Sequence, residues 1–253
     1  MKKFVSLVKR EHAQYGTNSY IMAVLVLLAI SIGPIAIEKL APKFPSVDIR
    51  FFLIVACVGL IVIYSIAMAT ASLNKDIKVK EIWLHNTESI YKLIGVKVIY
   101  QGLVMLVINC LLFFGFFFTG DLIKGSFSEY IVFAAFYLYL IIVIYTFFTI
   151  IVLFYHACNS QMYAWIGKLG YVVTFVVLFF VFRALDYLPE LTFLQVGHVQ
   201  VEQLNKYLPI FSKDEFTFTG FIDFYILEEL FYTVLLIGAY VVACKWIEKV
   251  ITR

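Results

Sequence analysis

The length of the uncharged runs restricts this chain more than any other feature. Residues 98–120 contain no Asp, Glu, Lys or Arg, and neither do residues 130–167. A helix needs roughly 20 predominantly apolar residues to cross a bilayer. With no water in the hydrocarbon layer, a spanning segment must satisfy its own backbone, which leaves helices or a closed barrel. Continuous apolar runs without apolar/polar alternation select helices. The composition agrees, at 63% hydrophobic and 15% charged residues, against about 45–50% and about 25% in soluble domains. The sequence specifies an all-α, polytopic integral membrane protein.

Six spans are expected, at about 17–37, 51–73, 93–119, 129–155, 169–187 and 225–245, within a single transmembrane domain over 1–253. Asn18, Pro34, Gly120 and Gly170 fall near span ends and read as punctuation. The first helix is expected to stay in the protein, because its apolar run has spanning length and no A-x-A site follows. No stretch fits a soluble domain. The longest polar interval is 188–224.

Basic residues near the spans set orientation. With the N-terminus in the cytoplasm, 13 of the 20 basic residues lie in inner segments, although the outer intervals are longer. Trp83, Trp165 and Trp246 all fall near the inner boundary, where an amphipathic indole is stable. Both termini are expected in the cytoplasm, and the protein in a cell membrane.

Residues 1–15, MKKFVSLVKREHAQY, are expected to form a separate helix lying along the inner leaflet. At 100° per residue Phe4, Leu7, Val8 and Tyr15 share one face, and Lys2, Lys3, Lys9 and Arg10 the opposite one. Phe4, Leu7, Val8, Lys9 and Arg10 are thus candidate membrane-interface residues, with the basic side toward anionic headgroups. The plainer alternative is a positively charged topology anchor. Glu11 and His12 sit at the border of the apolar face and blur the pattern.

Signatures of catalysis are missing from the sequence. There is no G-x-x-x-x-G-K-[ST], H-E-x-x-H or G-x-S-x-G, so phosphate-loop, zincin and serine-hydrolase readings fall away. No catalytic residue, metal site, bound cofactor or nucleic-acid partner is expected. Cys57, Cys110, Cys158 and Cys244 are far apart and form no CxxC pair. They read as small apolar packing residues rather than as ligands or disulfides.

Charges inside spans would mark an ion or proton pathway, and the spans read as nearly free of them. Gln101 and Asn109 lie in the third span, and Asn109 is expected to hydrogen-bond between helices. Arg183 and Asp186, three residues apart, are placed to pair. Glu228 and Glu229 open the last span, where acids meet the favourable end of a helix dipole. Asn109, Phe116, Phe117, Glu228 and Glu229 are candidate pathway residues. The runs LLFFGFFF (111–118) and FVVLFFVF (175–182) read as lipid-facing, or else as an apolar wall for a greasy substrate.

Between the second and third spans, residues 74–92 are much longer than a chain reversal requires, since helix connections take two to eight residues. Ile82, Trp83, Asn86, Ile90 and Leu93 recur at helical spacing. A short helix across the cytoplasmic membrane surface is expected there, either docking a partner or resting in headgroups.

The order of these parts, with KEIWLHNTESIYKLIGVK at 80–97, resembles the membrane subunits of ABC-2 type transporters. That family places a cytoplasmic coupling helix between spans 2 and 3, commonly leading into (S/T)-x-x-x-x-(L/I)-G-K. Its common E-R-E-x-G-T sequence is replaced here by KDIKVKEIW (75–83). The resemblance implies that Glu81, Trp83, Leu84, His85, Asn86, Thr87 and Glu88 contact a separate ATPase subunit that carries ATP and Mg. It also implies short helices in the outer segment 188–224 and pairing with a second permease subunit, identical or not. Within the family, the likeness is to Gram-positive exporters of small amphipathic peptide toxins of the phenol-soluble modulin kind, with lantibiotic-immunity and antibiotic-efflux permeases close by. Virulence and immunity are the roles that follow. The other readings are a self-contained channel or carrier, and an immunity protein that sequesters a peptide without pumping it.

Overall fold

Long runs of Leu, Ile, Val and Phe leave a chain in lipid no option but intrachain hydrogen bonding, and helices account for nearly all of the architecture. A computed structural model describes residues 2–40, 46–78, 89–119, 127–185, 196–199 and 224–251. In chain order the elements are α1 (Lys2–Leu40), α2 (Ser46–Lys78), α3 (Ile90–Thr119) and α4 (Phe127–Ile166). A 3-10 turn (Gly167–Leu169), α5 (Gly170–Leu185), β1 (His198–Val199), β2 (Phe224–Tyr225) and α6 (Ile226–Ile251) follow. The expected all-α class holds except for the two-residue β1/β2 pairing. There His198 faces Tyr225 and Val199 faces Phe224 in antiparallel register.

Five stretches are long and apolar enough to cross a membrane: Phe4–Gly33, Val55–Asp76, Ile90–Phe114, Tyr137–Val181 and Ile226–Lys249. The fourth takes in α4 and α5, which are separate helices. The 16 described residues of α5 span about 24 Å at 1.5 Å per residue, short of the roughly 30 Å hydrocarbon core. Among the described residues five stretches have the required length, and the expected fifth span, 169–187, ends outside them.

The N-terminus also departs from expectation. Residues 2–15 do not form a helix of their own; α1 runs unbroken from Lys2 to Leu40. Pro34, read as the end of the first span, lies inside α1. The physical reason for the continuity is tertiary, because the first third of α1 is held by groups from α2 and α3.

The chain divides into two compact units, Met1–Val79 with Lys92–Tyr145, and Lys80–Tyr91 with Thr146–Arg253. In the first, Val26 and Ile30 of α1, Cys57, Ile61 and Val62 of α2, Met105, Ile108 and Leu112 of α3 and Ile141 and Tyr145 of α4 form the apolar core. The α3–α4 approach is close at Gly102, where a Cβ would lie 3.0 Å from the Tyr145 ring. The Tyr145 hydroxyl donates to the Val98 carbonyl at 2.8 Å.

In the second unit the Phe154 and Trp246 rings meet edge-on, the Trp246 indole N–H donates to Gln161, and the Tyr240 hydroxyl donates to the Tyr91 carbonyl. All four cysteines are free. The α5 side chains of Phe175, Phe179 and Phe180 are exposed on the chain, as a lipid-facing surface requires.

The break between α4 and α5 falls at two glycines. Gly167 takes φ +61°, in the left-handed region. At Gly170 a Cβ would sit 2.7 Å from the Tyr163 backbone nitrogen and 2.8 Å from the Met162 carbonyl carbon. Those obstacles are backbone and have no rotamer to yield. Gly170→Ala is expected to lower stability by about 1–3 kcal/mol, read as a fall in thermal midpoint in detergent. Gly238→Ala on α6, where no atom lies within 4 Å of the added Cβ, is expected to be neutral or stabilising by up to about 1 kcal/mol.

Candidate functional site: a buried ion-pair tetrad

In the first unit, one end of the helix group carries a charge cluster. The buried face of α1 repeats at four-residue steps through Glu11, Tyr15 and Ser19; that of α2 ends in Ser72 and Asp76; and α3 contributes Lys97 in its second turn. The Lys97 ammonium lies 2.8 Å from Glu11 Oε1 and 2.9 Å from Asp76 Oδ2, and donates to Ser72 Oγ at 2.5 Å. Ser72 in turn donates to Glu11 Oε2 at 2.7 Å. Arg10 Nη2 closes the group, 3.2 Å from Glu11 Oε1 and 3.3 Å from Asp76 Oδ2.

The side chains of Lys97 and Glu11 are each 1% exposed, while that of Arg10 is 39% exposed. Two cations and two anions make the group neutral. The Lys97 ammonium hydrogen-bonds to Glu11 and Ser72 and is ion-paired with Asp76 as well. Ser72 has its role fixed from both sides, accepting from the ammonium and donating to the carboxylate. A buried charge persists when paired and hydrogen-bonded in this way.

An aromatic group adjoins the tetrad. His12 Nδ1 lies 3.1 Å from the Tyr100 hydroxyl and Nε2 lies 3.4 Å from the Tyr20 hydroxyl, and both rings meet the imidazole edge-on. The ring runs along α1 over Gly16, where a Cβ would stand 3.0 Å from His12 Cε1. Farther along α3, the Asn109 amide donates to the Met105 carbonyl at 2.9 Å and accepts the Tyr137 hydroxyl of α4 at 3.0 Å. The expected interhelical bond of Asn109 is present.

The other sequence-derived site residues scatter. Glu81, Trp83, Leu84, His85, Asn86, Thr87 and Glu88 lie outside the described residues, as do Asp186 and most of 188–224. Phe116 and Phe117 fall within α3, with side chains outside the described set. Glu228 and Glu229 are half-buried in the first turn of α6. On α1, Phe4 and Lys9 are exposed, and Leu7 and Val8 are half-buried. Arg10, expected to face headgroups, instead reaches two carboxylates.

The reading of nearly charge-free spans is corrected here. Glu11, Asp76 and Lys97 all lie within apolar stretches of spanning length and are buried together. Glu11, at the border of the apolar face by sequence, sits in the middle of the buried one, because its partners come from α2 and α3. A signal was available: Lys97 falls inside the expected third span, and a charge there warrants a search for its partner.

No protein-family model, curated protein or solved structure matches this chain. Removing one partner of a buried pair leaves an uncompensated charge, a loss of about 3–5 kcal/mol. Lys97→Met is expected to destabilise by that amount, measured as thermal or denaturant unfolding in detergent. Adding Glu11→Gln to Lys97→Met is expected to cost less than the two single changes together, since the remaining ions then balance better.

Proposed function

We propose that this chain is the membrane-spanning subunit of an ATP-driven exporter of the ABC-2 type, moving hydrophobic or amphipathic peptides outward and drawing its energy from a separate ATPase. The observation that carries the reading is where the charge lies. Asp76 near the end of α2 and Lys97 near the start of α3 flank the polar segment 79–88 in sequence; they pair with each other, and Lys97 also pairs with Glu11 of α1. A push on that segment would be felt at once by three helices joined through one ion group. The apolar faces leave no coordination for a hydrophilic ion, and the sequence has no phosphate-binding loop of its own.

In this reading two permease subunits, identical or not, pair in the plasma membrane of a Gram-positive bacterium, with both termini cytoplasmic. Each docks an ATPase through Glu81 and Trp83–Glu88, and ATP with Mg stays on that partner. The export of toxic peptides links the chain to virulence and to self-immunity. A second reading, a self-contained carrier, draws on the buried carboxylates of Glu11 and Asp76, since such groups serve proton or cation coupling.

Reconstitution separates the two. The chain alone in liposomes is expected to move no peptide and hydrolyse no ATP, whereas transport by the chain alone would establish the carrier. Deleting Trp83–Glu88 is expected to abolish ATPase association, measured by co-purification, while leaving membrane insertion intact. A deletion variant that still recruits an ATPase at the wild-type level refutes the docking role.

A further inference from the structure

The stripe of α3 that carries Lys97 continues through Gln101, Met105 and Ile108, all buried. Lys97 is partnered by Glu11, Asp76 and Ser72. Two turns beyond Gln101, the Asn109 amide is partnered by Met105 and Tyr137. Met105 and Ile108 join the apolar core with Val26, Ile30 and Ile61. Gln101 lies between these satisfied groups and differs from them. It is 0% exposed, and neither its Nε2 nor its Oε1 has a hydrogen-bond partner.

A buried amide with both ends unpaired is unfavourable, and such groups are rare in folded proteins. Zero exposure leaves no space for a water at either atom. Leu or Met would fill nearly the same volume without the loss. The amide therefore has its use in another packing of these helices, one in which a polar guest reaches it. Resting on the exporter reading above, we propose that Gln101 is a substrate-contacting residue that pairs with a backbone peptide group of the translocating chain when the helices part.

The chemistry of the side chain selects that guest. A primary amide presents a donor and an acceptor side by side, the complement of the N–H and C=O along a peptide backbone. An anionic guest would call for a free cation, and the ammonium of Lys97 is already paired with two carboxylates. Met105 and Ile108, farther along the same stripe of α3, supply the apolar surroundings that an amphipathic peptide's apolar side chains require.

The test uses the complete exporter, this chain with its ATPase, reconstituted in proteoliposomes, with a fluorescent Leu/Lys peptide of about ten residues, too short to satisfy its backbone as a stable helix, as probe. Gln101→Leu and Gln101→Met are made in parallel, so that one ill-fitting side chain does not decide the outcome. Both are expected to raise the thermal midpoint by about 3–6 °C, because the unpaired amide is gone. Both are expected to reduce ATP-dependent peptide uptake about tenfold. A lower midpoint in both variants would mean that the amide has partners, and overturns the inference. A raised midpoint with uptake within about twofold of wild type also overturns it, while leaving the exporter reading in place. A wild-type complex that moves no peptide overturns both.

Discussion

Placing an ammonium ion inside a helical membrane protein is among the least favourable acts a sequence can specify, and the first unit of this chain is organised around having done so. Lys97 is 1% exposed. In an apolar medium its charge has to be met by opposite charge, and its three protons by acceptors. No single helix supplies all of these, so Glu11 comes from α1, Ser72 and Asp76 come from α2, and Arg10 restores neutrality from the more exposed side. The register of three helices follows from that one requirement. A slip of one residue in any of them would turn a carboxylate or the ammonium away from its partner.

The same requirement explains α1. Seen as a peptide, its first fifteen residues look like an amphipathic strap for a membrane surface. Within the fold, Glu11 and Tyr15 turn inward with Ser19, and the helix runs on without a break to Leu40. Glu11, bonded to Lys97 of α3 and Ser72 of α2, ties that part of the helix to its two neighbours. Along α3 the accounting of polar groups is otherwise close to complete. Lys97 and Asn109 are satisfied, and Gln101 between them is not. A stripe of α3 that pairs Lys97 and Asn109 and leaves both ends of the Gln101 amide dry has a local inconsistency of the sort that accompanies function.

How much of this was legible in the primary sequence differs by feature. Helices were legible because the uncharged runs are longer than a bilayer is thick, and no other structure satisfies their backbone there. Gly170 was legible as a breakpoint because glycine punctuates apolar helical runs, and in the structure a Cβ there would strike the backbone of Met162 and Tyr163. Pro34 misled, since its place inside α1 depends on what holds the helix on either side rather than on local propensity. The tetrad was illegible for another reason. Glu11, Asp76 and Lys97 are separated by 65 and 21 residues, and each taken alone reads as an ordinary charge near a span end.

By itself the sequence determined the class of solvent this protein inhabits, the helical form of its spans, and the polar character of the segment between α2 and α3. Those properties follow from composition over windows of about 20 residues, and transfer free energies add along such a window. Tertiary structure alone decided which charges meet, which face of α1 is buried, and which amide is left unpaired. Pairing depends on distances of about 3 Å between atoms remote in sequence, and only the packing of whole helices sets distances of that kind.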